Sequence, residues 1–293
     1  MIFWSLSYIW FKVANTAYSP LIIVYFRLLF SAILLTLFLL VTGRFEKIKK
    51  SDRIYFLLLA VSEPFLYFIG ESFGLTFVSS TVGAVIISTI PIFAAIGGWL
   101  FFSEKLRWIN YTGIAISLAG VLLFILNRDG SLSFDPRGLS LMALACLSAV
   151  SYSLLLRKLA GNYNPIFIVN VQNIIGLILF APLVLIFDLD GLLNFKYSPV
   201  EFWTIVKLAV FASSGSFILF GYAVRNLGVT RANVFSNAIP VFTAIFAFFI
   251  MGETLSLQKF GGMAIVIAGL LLSQSGKKKW TKPDGTILAG KTA

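Results

Sequence analysis

The sequence predicts an all-α integral membrane protein, ten transmembrane helices arranged as two inverted five-helix repeats, and three observations lead there. Of its 293 residues 59% are apolar and 12% charged, with a mean hydropathy of +0.94. A soluble domain carries roughly 25% charged residues, so this chain lacks the polar surface to cover itself in water. The apolar residues fall into ten runs near the length of about 20 that crosses a bilayer, which leaves no room for a soluble domain. The third observation is an internal duplication at a fixed offset of 149 residues.

The runs read in order as Ile2 to Ala17, Leu21 to Val41, Ile54 to Val78, Val82 to Phe102, Trp108 to Leu126, Gly138 to Leu156, Ile166 to Phe187, Phe202 to Val224, Ala232 to Met251 and Phe260 to Leu272. Turn residues separate them: Tyr18-Ser19-Pro20, Asn127-Arg128-Asp129-Gly130, Asn162-Tyr163-Asn164-Pro165. A transmembrane barrel would show short alternating segments instead. The first run is short and carries Lys12 and Asn15. It has neither the basic start nor the small-residue cleavage site of a signal peptide, and reads as a first helix missing part of its cytoplasmic end.

Orientation follows from the basic residues between runs. With the N-terminus cytoplasmic, the inside set is Arg44, Lys47, Lys49, Lys50, Arg53, Lys105, Arg107, Arg157, Lys158, Arg225, Arg231 and the tail lysines 277, 278, 279, 282 and 291; the outside set is Lys12, Arg128, Arg137, Lys196 and Lys259. That asymmetry predicts both termini inside, in the cytoplasmic (inner) membrane. The run Lys277 to Lys279 beside Trp280 is expected to anchor residues 276–293, a basic cytoplasmic tail, on anionic lipid, with a regulatory tail as the alternative.

Absences narrow the chemistry. There is no histidine, which removes Ser-His and Cys-His catalysis and His-ligated metals. Cys146 is alone, so no intrachain disulfide forms. The net charge of +11 is scattered over short turns, with no basic-aromatic module to bind nucleic acid. No glycine-rich nucleotide loop is present, and no cofactor or metal is expected. Asp188-Leu189-Asp190 offers two carboxylates without further ligands, the pattern of a solvated loop.

Within the duplication, 16 of the 43 positions from Thr81 to Leu123 are identical to their counterparts without a gap. Matched pairs include Ile90-Pro91 with Ile239-Pro240, Glu104 with Glu253, Gly113 with Gly262 and Ala119-Gly120 with Ala268-Gly269. Upstream the offset becomes 145, pairing Tyr18-Ser19-Pro20 with Tyr163-Asn164-Pro165 and Lys12 with Arg157. The repeats are expected at 1–127 and 136–275. Five spans is an odd number, so the second copy enters the membrane from the opposite side, and a site is expected between the copies near mid-depth.

Ser103-Glu104-Lys105-Leu106 with Gly113 and Ala119-Gly120, repeated as Gly252-Glu253-Thr254-Leu255 with Gly262 and Ala268-Gly269, resembles the paired EamA domains of the drug/metabolite transporter superfamily. Trp4, Lys12, Ser19-Pro20 and Phe26-Arg27 are similar to that family's first two helices, and Tyr222 to Gly228 to the turn out of its eighth. The resemblance implies export of amino acids, other metabolites or drugs, with relatives that move nucleotide sugars or sugar phosphates. One departure is that the family has several more residues before the tryptophan matched by Trp4.

Candidate site residues are the polar and kinking ones inside spans, where charge costs a few kcal/mol and needs a partner or a use. Glu63 lies about nine residues along the third span, roughly 14 Å deep. Pro64 comes next, removing a backbone hydrogen bond where the helix can bend around a cavity. Glu63 is read as a substrate-amine or proton site; the alternative is a carboxyl hydrogen-bonded to a neighbouring helix. Glu71 is expected to pair with Arg27 or Lys12, although either cation is also a candidate for a substrate carboxylate. Pro91 and Pro240 occupy matching positions in the fourth and ninth spans. Ser88, Thr89, Asn233, Ser236 and Asn237 beside them are candidate polar contacts, or knit helices together. Gly70 and Gly74 form a ridge for close helix approach. Glu104 and Glu253 are expected to cap the fifth and tenth helices. Of the 46 aromatics, Tyr67, Tyr152, Phe65, Phe73, Phe217 and Tyr222 are candidates to line a cavity.

The expected function is secondary transport of small organic metabolites, amino acids or related compounds, in the export direction, by rocking of the two repeats; the chain is not expected to be an enzyme. Multidrug or nucleotide/sugar-type transport is the alternative. An integral-membrane transferase on lipid-linked substrates would need clustered acids or a histidine at one face. The expected partners are a small-molecule substrate and the bilayer, with proton coupling and a homodimer left open.

Overall fold

The fold is described from a computed structural model, which covers residues 1–103, 107–125, 135–252 and 256–274, with 280–281 and 287–288 in the tail. The expected caps Glu104 and Glu253, the turn at 127–130 and the lysines at 277–279 lie outside the described residues. Helices dominate in the order α1 (Ile2–Ala14), α2 (Pro20–Thr42), α3 (Arg53–Ala60), α4 (Tyr67–Phe77), α5 (Ser80–Ile87), α6 (Ile90–Phe102) and α7 (Trp108–Ile125). Next come α8 (Pro136–Ala160), α9 (Pro165–Phe187), α10 (Leu189–Leu193), α11 (Pro199–Lys207), α12 (Phe217–Leu227), α13 (Val229–Val234), α14 (Ile239–Met251) and α15 (Leu257–Gln274).

Among the described residues seven helical segments are long and apolar enough to cross a membrane: Pro20–Thr42, Lys50–Phe77, Ser80–Phe102, Pro136–Ala160, Pro165–Phe187, Pro199–Leu227 and Val229–Met251. They coincide with seven of the predicted runs. At 13 residues α1 rises only about 20 Å, short of the ~30 Å hydrocarbon core; α7 and α15 have 18 residues each.

Cap chemistry sets several starts. Ser19 Oγ accepts from Ile22 N at 3.3 Å ahead of Pro20, and Asn164 Oδ1 from Ile166 N at 3.0 Å ahead of Pro165. Asp135 Oδ1 accepts from Arg137 N at 2.8 Å ahead of Pro136. In each case a side-chain oxygen satisfies an orphan amide while proline fills a position that needs no donor. Gly43 ends α2 at φ 63° and Gly252 ends α14 at φ 67°, the left-handed turn that favours glycine.

Four spans are irregular, and the irregularities fall in matching pairs of the 149-residue offset. Between α3 and α4 the stretch Val61–Leu66 widens into a π-helical turn in which Glu63 is extended (φ −150°, ψ 121°). Its counterpart Leu208–Ser216, between α11 and α12, is a π-helical stretch too. The fourth predicted span breaks at Ser88-Thr89 between α5 and α6, and the ninth at Phe235–Ala238 between α13 and α14. Pro91 and Pro240 each sit in the first turn of the helix after the break. They restart a broken helix there and lose no hydrogen bond in doing so.

Small residues bring the helices close. A Cβ on Gly70 would strike the backbone of Leu141 and Ala145, and one on Gly74 the Met142 side chain, so the predicted ridge on α4 packs against α8. Gly176 on α9 accommodates the Pro64 ring, whose Cγ stands where a Cβ would be. Gly113, Gly120 and Gly269 put α7 and α15 in backbone contact. Without water to drive association, such packing is what holds helices together in lipid.

Two tyrosines tie distant loops to these helices in a matching way. Tyr163 Oη accepts from Lys49 N at 3.0 Å and donates to Asp52 Oδ2 at 2.8 Å. Tyr18, its partner at the 145-residue offset, accepts from Ser198 N at 3.0 Å and donates to Lys196 O at 3.0 Å. Burial lifts the Tyr163 hydroxyl above the usual tyrosine range, which keeps it a donor. Tyr163→Phe strands a backbone amide and a carboxylate, and is expected to lower stability by roughly 1–2 kcal/mol. Thermal unfolding of the purified protein measures it; an unchanged midpoint would remove the tie.

Candidate functional site

A cavity lies among the spans, with ≈ 450 Å³ of space between atoms that includes open solvent. Its wall is formed by Trp4 and Tyr8 of α1, Glu63, Tyr67 and Glu71, Ile87 and Ile90, Ala149, Tyr152 and Ser153 of α8, Phe220 of α12, and Asn233, Ser236 and Ile239. Each of the four broken or widened spans contributes to this wall, through Glu63, Ile87 and Ile90, Phe220, and Ser236. Several lining positions are counterparts in the duplication: Ile90 and Ile239, Ile87 and Ser236, Glu71 and Phe220 at 149, Tyr8 and Ser153 at 145.

Glu63 is 5% exposed and faces the cavity from the extended residue between α3 and α4. Among the described residues its carboxyl has no hydrogen bond and no ion pair. Glu71, also 5% exposed, is held on both oxygens: Tyr67 Oη donates to Oε1 at 2.9 Å and Arg27 Nη1 lies 3.9 Å from Oε2. Arg27, 2% exposed, donates from Nε to Ser213 Oγ at 2.9 Å and lays its guanidinium 4.0 Å from the centre of the Phe68 ring. The widened stretch Leu208–Ser216 supplies Ser213 and Ser214, and Ser31 and Asn173 complete a buried polar cluster behind the pair. Arg27 thus stands behind the cavity wall and not on it.

Other sequence candidates separate into two groups. Asn233 lines the cavity, with Nδ2 donating to Val229 O at 2.9 Å and Oδ1 accepting from Ser153 Oγ at 3.2 Å. Tyr152 lines it too, its hydroxyl donating to Gln172 Oε1 at 3.1 Å. Lys12 donates to the carbonyl of Leu75 near the end of α4, so the Glu71 ion pair is made by Arg27. Ser88 folds back on Val85 O at 2.6 Å, and Asn237 Nδ2 donates to Ser117 Oγ at 3.0 Å; both lie off the wall. Asp188 accepts from Ser19 Oγ and secures the start of α2.

Four expected lining aromatics require correction. Tyr222 is 37% exposed on the far face of α12. It lies two residues after Phe220, about 200° around a helix, so only one of the two can face inward. Phe65 packs on Phe180 at 5.2 Å, and Phe217 lies against Trp4 at 5.3 Å and Tyr152 at 5.7 Å, behind the wall. Phe73 is absent from the lining as well. Lining residues not anticipated include Trp4, Tyr8, Ser153 and Phe220, beside the apolar Ile87, Ile90, Ala149 and Ile239. Tyr8 Oη is buried without a hydrogen-bond partner.

Comparison with known proteins gives a consistent picture. The profile described as the EamA-like transporter family matches residues 1–126 and 136–274. An Archaeoglobus fulgidus protein named only as an uncharacterized transporter is 27% identical over 92% of this chain and 94% of its own. The Escherichia coli K12 protein YedA, named as an uncharacterized inner membrane transporter, is 27% identical over 94% of this chain and 88% of its own. A protein known from its crystal structure has TM-score 0.75 at 15% identity, covering 92% of this chain and 96% of that one, which shows a common fold.

Proposed function

The chain belongs to the EamA-like transporter family, and from that premise we propose that it is a secondary transporter that carries small amine-bearing organic metabolites through the Glu63 cavity by alternating access, outward from the cytoplasm. It is a multi-pass membrane protein of transporter kin. The observation that carries the finer reading is an unpartnered, buried carboxyl on the wall of a cavity bounded by four broken or widened spans. A structural carboxyl at that depth would be paired, as Glu71 is.

Two inverted five-span repeats account for the paired irregularities, for counterpart residues on opposite walls and for a family profile that matches twice. In that arrangement each repeat supplies one wall, and rocking one against the other opens the cavity to either side in turn. The excess of basic residues in one set of turns supports cytoplasmic termini. Glu63 is the group that takes up and releases a proton as access alternates, so a pH gradient drives the cycle.

Solute flux in vesicles reconstituted with the full chain tests the reading. Amino acids, amines, nucleosides, sugars and cationic drugs are offered in turn under an imposed pH gradient. Flux of an amine-bearing class above that of protein-free vesicles is expected. No protein-dependent flux of any class would overturn it.

A further inference from the structure

We propose that the occupant best suited to the cavity is a small organic cation, a protonated amine with an aromatic or apolar body and no carboxylate. This narrows the substrate class of the proposed transporter and rests on that reading. Charge is the first support. The described lining residues include two acids, Glu63 and Glu71, and no lysine or arginine. The nearest cation behind the wall, Arg27, already faces Glu71 at 3.9 Å, Ser213 at 2.9 Å and the Phe68 ring at 4.0 Å. Glu63 is left as the one acid of the two without a partner among the described residues. An ammonium group beside it gains an ion pair in a site shielded from water, whereas a substrate carboxylate would be set among acids with no cation to meet it.

The second support is the set of donors. A carboxylate needs N–H or O–H groups aimed at it, and the hydroxyls of the opposite wall are spent on that wall, Ser153 Oγ on Asn233 Oδ1 and Ser236 Oγ on Asn233 O at 2.6 Å, while Asn233 Nδ2 gives one of its two N–H groups to Val229 O. Tyr152 and Tyr67 spend their hydroxyl protons on Gln172 and Glu71. The Tyr8 hydroxyl, buried on the wall without a hydrogen-bond partner, can accept from an ammonium N–H and also has one O–H to donate. The third support is the rings. Trp4, Tyr8, Tyr67, Tyr152 and Phe220 all face the same space, with Tyr152 and Phe220 near-parallel at 6.5 Å and Trp4 edge-on to Phe220 at 5.3 Å. Aromatic faces attract an ammonium group and pack against an apolar body. The acids and the rings both select for positive charge, and the spent hydroxyls of the opposite wall disfavour an anion.

Three probes with one phenyl ring and a short chain separate the alternatives: phenethylamine (cation), phenylalanine (zwitterion) and 3-phenylpropanoate (anion). Their binding to the purified full-length protein is measured by calorimetry. Phenethylamine is expected to bind at least ~10-fold more tightly than phenylalanine, with 3-phenylpropanoate weaker still. Glu63→Gln is expected to weaken phenethylamine ~10-fold or more and phenylalanine less, while Glu63→Asp keeps most of the preference. Melting of the unliganded variants shows that both are folded. Phenylalanine or 3-phenylpropanoate binding as tightly as the amine, an amine affinity unchanged in Glu63→Gln, or no amine binding to the wild type would each overturn the proposal. None of those results bears on transport itself, which solute flux reads separately.

Discussion

Glu71→Gln is expected to cost about 3 kcal/mol of stability, the lower end of the range for removing one partner of a buried ion pair. The amide oxygen can still accept from Tyr67, so the loss falls on Arg27, left 2% exposed with its charge uncompensated. Ser213 and Phe68 continue to hold the guanidinium, which is why the cost is not larger. Arg27→Gln alone strands Glu71 in the same manner. Combining the two changes removes both charges, and the double variant is expected to recover part of the summed loss. Thermal or denaturant unfolding of the four proteins in one detergent gives the coupling directly, and strict additivity would mean that the 3.9 Å approach carries no energy.

Glu63→Gln is expected to abolish pH-gradient-driven transport while leaving the protein folded. Glutamine keeps the shape of the side chain and both hydrogen-bonding ends, but neither binds nor releases a proton near neutral pH. Stability should change little, because the carboxyl has no ion partner to strand. The contrast with Glu71 is the informative part: two acids eight residues apart on one span, equally buried at 5%, are expected to divide into one whose loss damages folding and one whose loss damages transport. Vesicles loaded at one pH and diluted into another read the second effect. Wild-type rates with the same pH dependence in Glu63→Gln would reduce Glu63 to a structural residue.

Much of this arrangement is legible in the sequence because lipid restricts what a chain can do. Continuous apolar runs punctuated by turn residues leave little choice of helix boundary, and at two of those turns Ser19 and Asn164 cap α2 and α9. Pro64 marks a break because an interior proline removes a hydrogen bond that lipid cannot replace, whereas Pro91 and Pro240 mark the first turn of a helix that restarts after one. Which face of a helix turns inward is harder to read where every face is apolar. Tyr222 and Phe220 look alike in sequence, and only the packing of α12 against α8 and α9 separates them. Tyr8 and Ser153 do carry a signal: they are counterparts at the 145-residue offset, and in the proposed inverted arrangement such counterparts face each other across the site. The choice between Arg27 and Lys12 as partner of Glu71 is beyond sequence, since both lie at similar depth and three-dimensional reach decides it. Tyr18 and Tyr163 stand out only as turn residues; their loop ties depend on backbone groups that no side-chain pattern announces.

The central claim is that one cavity faces the two sides of the membrane in turn, and two-sided accessibility tests it most directly. Cys146 is the only cysteine, so Cys146→Ser gives a clean background. Ser236→Cys then places a single thiol on the cavity wall. Right-side-out and inside-out vesicles holding this variant are treated with a membrane-impermeant maleimide. The account predicts labelling in both orientations, with the balance between them shifted by the imposed pH gradient. Labelling from one side alone, whatever the gradient, would contradict alternating access.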